Sequence, residues 1–141
     1  MTNPTKNEPT TASRTGALTR AGIVLAATVG AALVMPIAGG HPRVDQGGTV
    51  TEVGLAPVLV SSVLAGLAGW ALLAVLERNV TRPRLIWTVA AAVVAGLSLV
   101  GPLSAAVDAH SSGTLVGMHV VVAAVLIPAF AAVARPRARR G

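Results

Sequence analysis

Asp108, His110 and His119 are the side chains in this sequence best suited to hold a metal ion. A carboxylate and an imidazole two residues apart can converge on one ion within a turn, and two histidines with a carboxylate suit zinc or another divalent metal. Neighbouring residues place His119 a short way into an apolar run, where other helices would shield it. The plainer reading carries more weight: loop residues are polar because they meet water, and a first-turn histidine usually just hydrogen-bonds. A metal-dependent membrane enzyme built on this trio is the weakest of three functional readings.

Glu77 is the other candidate, directly before Arg78 at the end of an apolar run. A carboxylate at a helix C-terminus opposes the helix dipole and should seek an arginine. Arg78, Arg82 and Arg84 are its neighbours in sequence, so an interfacial ion pair that fixes a hairpin is expected over a transport or catalytic role. Other chemistry is sparse. The chain has no cysteine, which excludes disulfide scaffolds, thiol redox catalysis and cysteine-ligated metals. It has no phosphate loop, nucleophile elbow or paired helical metal motif, and no cofactor is expected. Asn79-Val80-Thr81 matches a glycosylation sequon but falls on the expected cytoplasmic side.

The elements that would position these residues follow from hydropathy. Of the 141 residues 53% are hydrophobic and only 11% charged, against about a quarter charged in a soluble domain. Residues 21–40, 53–76, 85–107 and 111–134 contain no Asp, Glu, Lys or Arg. Roughly 20 apolar residues in a helix cross the hydrocarbon core, and each run suffices. Inside lipid every backbone polar group must be satisfied within the segment, and continuous rather than alternating apolar runs select helices over a barrel. None of the runs has the polar stripe that a soluble bundle needs. The fold expected is an all-α integral membrane four-helix bundle with helices over about 21–39, 55–76, 85–107 and 114–134, forming one domain over 19–134. Residues 1–18, rich in Thr, Asn and Pro, read as a disordered cytoplasmic tail, and 135–141 as a basic cytoplasmic tail.

A cleaved signal peptide competes for the first run, with Lys6, Arg14 and Arg20 as its basic region and residues 38–40 as a cleavage site. The run exceeds the usual apolar region of such a leader and is read as the first span. With cleavage, the mature chain would begin near His41 and span three times.

Cytoplasmic flanks are enriched in Lys and Arg. Lys6, Arg14 and Arg20, then Arg78, Arg82 and Arg84, then Arg135, Arg137, Arg139 and Arg140 share one side of the expected topology, and Arg43 alone lies opposite, with Asp45, Glu52 and Asp108. Both termini are therefore expected in the cytoplasm. Because the basic residues flank spans and form no folded polar face, nucleic acid is not an expected partner; the bilayer is, with anionic headgroups at the basic flanks. Trp87 and Phe130 lie where an interfacial aromatic would, and Trp70 lies deeper, where it would pack between helices.

Small residues at three and four spacing mark helix contacts in lipid. Ser62, Ala65, Gly66 and Gly69 form such a stripe in the second run, Ala92, Ala95 and Gly96 in the third, and Thr28, Ala31 and Ala32 in the first. Prolines at 36, 57 and 102 fall near outer helix ends, and Pro128 alone is expected to disturb a helix interior. No acidic or basic residue lies near a run's midpoint, which disfavours proton-coupled export; the buried glutamate of small multidrug transporters has no counterpart here.

The segment 69–78 (Gly-Trp-Ala-Leu-Leu-Ala-Val-Leu-Glu-Arg), with Trp87, Leu97-Ser98-Leu99, Gly101-Pro102-Leu103, Met118-His119 and Leu126-Ile127-Pro128, resembles a family of small uncharacterised four-helix bacterial membrane proteins recorded as a domain of unknown function. The resemblance covers roughly 20–134 and implies a four-span bundle in the plasma membrane, without catalytic residue or substrate. The leading reading is a structural or accessory membrane component, with a second copy of the chain (a homo-oligomer) or another membrane protein as its candidate partner. A small transporter or channel subunit is the alternative.

Overall fold

The backbone of an apolar run has no partner in lipid but itself, and all four runs are helical. The computed structural model describes residues 11–135, with side chains from residue 14 onward. Its elements are α1 (Thr11–Ala38), β1 (Arg43–Asp45), β2 (Val50–Glu52), α2 (Leu55–Asn79), α3 (Pro83–Ser98), α4 (Val100–Ala105) and α5 (Ala109–Val133). Four segments, Arg14–Ala38, Leu55–Asn79, Pro83–Ala105 and Ala109–Val133, are long and apolar enough to cross a membrane. The molecule is an all-α integral membrane four-helix bundle.

The helices overrun the expected limits at several ends. α1 is already helical at Thr11, so residues 11–18, expected in a disordered tail, belong to it, while 1–10 and 136–141 lie outside the described residues. Charge marks where hydrocarbon stops, whereas a helix stops only where its backbone finds other partners. α5 starts at Ala109 and not near 114 because Asp108 caps it, its carboxylate accepting from the Ser111 N–H at 2.8 Å. α3 starts on Pro83, whose missing N–H and fixed φ suit a first helical position.

The third span is the one that breaks. Pro102 cannot donate to the carbonyl of Ser98 and its ring crowds that group, and α3 ends at Ser98 before α4 resumes at Val100. Pro128, the proline expected to disturb a helix, leaves α5 continuous to Val133.

α1 packs along both α5 and α2, and α3 packs along α5. α2 and α3 meet only lightly, although just residues 80–82 connect them. Gly66 allows α2 to approach α1: a methyl group there would stand 2.7 Å from Val24 Cγ1. Gly30 does the same for α1 and α5 at Val121. Two apolar clusters result. Val24, Ala27, Leu73, Trp87, Leu126, Phe130 and Ala131 form one near the end where Arg20 and Arg135 lie. Ala31, Met35, Val44, Val58, Leu115 and Met118 form the other towards the opposite end.

That opposite end carries a hairpin absent from the sequence reading. β1 and β2 pair antiparallel with Arg43 opposite Glu52. Gly47 and Gly48 take the positive φ values, 67° and 91°, that the turn requires, and Asp45 Oδ1 accepts from the Gly48 N–H at 2.7 Å. Val44 turns inward from β1 and is 8% exposed.

Candidate functional site

Polar side chains gather at three places: the end where Arg20, Glu77 and Arg135 meet, the hairpin end, and a cleft in the side of the bundle. At the first, Arg20 from α1 reaches Glu77 from α2, one guanidinium nitrogen donating to Oε1 at 2.7 Å and Oε2 at 2.8 Å. The Arg135 backbone N–H, just beyond α5, donates to Glu77 Oε1 at 2.9 Å. Glu77 therefore ties three spans together, with both charged side chains largely buried at 14% and 16% exposure. The partner is Arg20 and not Arg78, Arg82 or Arg84. Arg78 is adjacent on the helix and projects about 100° away, while Arg82 and Arg84 open α3 with their side chains exposed.

At the hairpin end, Asp108 accepts from the guanidinium of Arg43 at 2.9 Å, and the Arg43 N–H donates to Ser111 Oγ at 2.9 Å. The Val107 N–H donates to the Arg43 carbonyl, so the hairpin is clipped to the start of α5. The Ser111 backbone N–H, then the Arg43 side chain, hold the Asp108 carboxyl below the usual carboxylate range. A depressed folded value means that the stabilisation is complete above the unfolded value of about pH 3.9 and is lost as pH falls through the lower folded one. Amide hydrogen exchange, corrected for intrinsic rate, should show protection at Arg43 and Val107 falling as pH is lowered past that range, with the helix interiors unchanged. In Asp108→Asn, which retains capping ability, this pH dependence should disappear.

The metal trio does not form. Among the described residues no three His, Asp or Glu side chains are placed to hold an ion. Asp108 is engaged with Ser111 and Arg43, and the two histidines are nine residues apart, about 180° around α5 and roughly 13 Å along it. His110 faces the hairpin-end part of α1 near Gly40, lining a shallow hollow of about 320 Å³ with Val34 and Ile37. His119 faces the other way. It is the eleventh residue of a 25-residue helix, so a titratable side chain does lie near the middle of a span, a position hidden from the sequence because the helix start was set too late.

The side on which His119 opens is the gap left where α2 and α3 splay. This cleft has a volume of about 640 Å³. Ser61, Ser62, Ala65, Ala68, Gly69 and Leu72 line it from α2. Trp87, Ala91, Val94, Ala95 and Ser98 line it from α3, and α5 contributes Met118, His119, Val122, Leu126 and Ile127 among others. Its lining stops at Leu72, Trp87 and Ile127, short of the arginine-bearing end. Trp87 closes it there, 3% exposed, with the indole N–H donating to the Ile127 carbonyl at 3.1 Å and the ring edge-on to Phe130 at 5.4 Å. Trp87 and Phe130 are thus interhelical packing residues and not an interfacial belt, while Trp70 does pack between helices against the same cluster.

The small-residue stripes divide accordingly. Gly66 lies against Val24 of α1, and Gly69 makes room for Trp87, a methyl there standing 3.0 Å from the indole. Ser62 and Ala65 line the cleft, as does Ala95, whereas Ala92 and Gly96 face away from the bundle, with open space beside Gly96. Arg20, Ser98 and Ser111 are participants that sequence reasoning missed. The aspartate directly before an apolar run was a legible signal for the Asp108 cap and hence for Ser111; nothing local marked Arg20 or Ser98.

No curated protein and no solved structure matches the chain. A sequence profile does match, across residues 8–136, and by it the chain belongs to the family of unknown function DUF6069.

Proposed function

We propose that this protein is a multi-pass component of the plasma membrane with both ends in the cytoplasm, and that it acts as an accessory protein receiving an apolar molecule sideways from the bilayer in the α2–α3 cleft. The observation that carries this reading is the cleft itself: about 640 Å³, within the range of small-molecule sites, between two spans that are neighbours in sequence yet splay apart beyond the Trp87 contact. Because its lining stops at Trp87, it suits a seat better than a path across the membrane. The arginine asymmetry supports the orientation, and arginines near the surface would attract anionic headgroups by about 1 kcal/mol each.

Reporter fusions at Val44, Thr81, Ser112 and the C-terminus should read outside, inside, outside, inside, and any other pattern defeats the topology. The seat is tested with Trp70→Phe, which leaves Trp87 as the sole tryptophan of the two in the chain. In phosphatidylcholine vesicles, bromodecane should quench Trp87 at lower membrane mole fraction than it quenches a tryptophan in a single transmembrane helix. Equal quenching means the cleft receives nothing.

A further inference from the structure

Two polar groups in the cleft lack partners. Ser62 is 6% exposed and lines the cleft; its hydroxyl makes no hydrogen bond among the described residues and, since no fully buried side-chain oxygen there lacks a partner, is open to the cleft. His119 Nδ1 lies 2.8 Å from the Leu115 carbonyl, which can only accept, so Nδ1 carries the proton and the neutral ring offers Nε2 as an acceptor with no partner among the described residues. Ser62 is seven residues from the hairpin end of α2 and His119 ten from that end of α5, which places them about 10 and 15 Å deep. Ser98, seven residues from the end of the third span, comes to the same level from the opposite wall; its hydroxyl donates to the Ala95 carbonyl at 2.7 Å and keeps acceptor capacity. Within hydrocarbon such groups lack water, and leaving them unmet is unfavourable.

We infer that the cleft binds an uncharged, hydroxyl-bearing apolar molecule of the long-chain alcohol class, its hydroxyl accepting from Ser62 and donating to His119 Nε2. A hydroxyl is the one simple group that both donates and accepts in a single position. No lining side chain carries a fixed charge, so a carboxylate or phosphate head has no counter-ion there. Below the polar level, towards Trp87, the walls are Ala68, Gly69, Leu72, Ala91, Leu126 and Ile127, a slot for the hydrocarbon tail. Ile127 is eight residues from His119, so the slot runs about 12 Å and brings the far end of a decyl chain to the indole.

This inference rests on the cleft being a seat, and the experiment separates the two. With the Trp70→Phe protein in phosphatidylcholine vesicles, terminally brominated decanol should quench Trp87 at about tenfold lower membrane mole fraction than bromodecane, the effect of one to two hydrogen bonds. Bromodecanoic acid should show no such preference. Ser62→Ala and His119→Leu should each remove most of the alcohol's advantage while leaving bromodecane quenching unchanged, and His119→Gln, which keeps an acceptor, should restore part of it. If alcohol and alkane quench alike in the parent protein, or the preference survives both substitutions, the hydroxyl assignment is overturned and the seat stands. If neither compound quenches above the level of a single-helix control, the seat is overturned with it.

Discussion

Trp87→Ala should lower the stability of the folded bundle by about 3–5 kcal/mol, read as a reduced midpoint in denaturing-detergent titration. The side chain is 3% exposed and is the piece of α3 that enters the cluster formed by Leu73, Leu126 and Phe130. Its removal empties the space that Gly69 leaves for it, deletes an edge-on aromatic pair worth about 1 kcal/mol and removes the indole bond to Ile127. Trp87→Phe should separate these contributions, retaining most of the packing and losing on the order of 1 kcal/mol for the missing N–H donor. α3 rests mainly on α5 and touches α2 chiefly where Trp87 meets Gly69 and Leu73, so losing the indole weakens both contacts at once. An effect under about 1 kcal/mol for Trp87→Ala would show that α3 is not anchored in this way.

Glu77→Ala should destabilise by about 2–4 kcal/mol, because it strands the Arg20 guanidinium, 14% exposed, and deprives the Arg135 N–H of its acceptor. The measurement that decides the partner is a double-mutant cycle. Arg20→Ala and Glu77→Ala together should cost little more than either alone, giving a coupling of roughly 1.5–3 kcal/mol. Cycles of Glu77 with Arg78, Arg82 or Arg84 should give couplings under about 0.5 kcal/mol, as expected of exposed charges. A strong coupling to any of those three would restore the partner suggested by sequence proximity. The location of Glu77 at a helix C-terminus sharpens the expectation: the dipole there disfavours a carboxylate, so α2 tolerates it only through the cation brought by α1.

What could be read from the residues in order was whatever depends on a local sum. Hydropathy over some twenty residues decides whether a segment can lie in lipid, and that sum located all four spans. The stripe of small residues Ser62, Ala65, Gly66 and Gly69 could be read in the same way, because close approach needs a small side chain whatever the partner; in the structure Gly66 is where α1 comes nearest. Helix ends were less legible. The expected limits followed charge, whereas Asp108 began α5 several residues earlier through its capping bond, and that shift moved His119 from the first turns to the middle of a span. Proline positions were legible, but not which one would interrupt: Pro102 divides its span and Pro128 does not.

Sequence alone determined that the protein has four apolar spans and a strong bias of arginine to one side of them, since composition and order suffice for both. Tertiary structure alone decided that Glu77 meets Arg20, that Trp87 turns inward to α5, and that Ser62, Ser98 and His119 face one gap. The physical reason is that these outcomes depend on the rotation and splay of whole helices. Residues far apart in the chain become neighbours only when α1 packs between α2 and α5, and the cleft exists because α3 follows α5 instead of closing on α2.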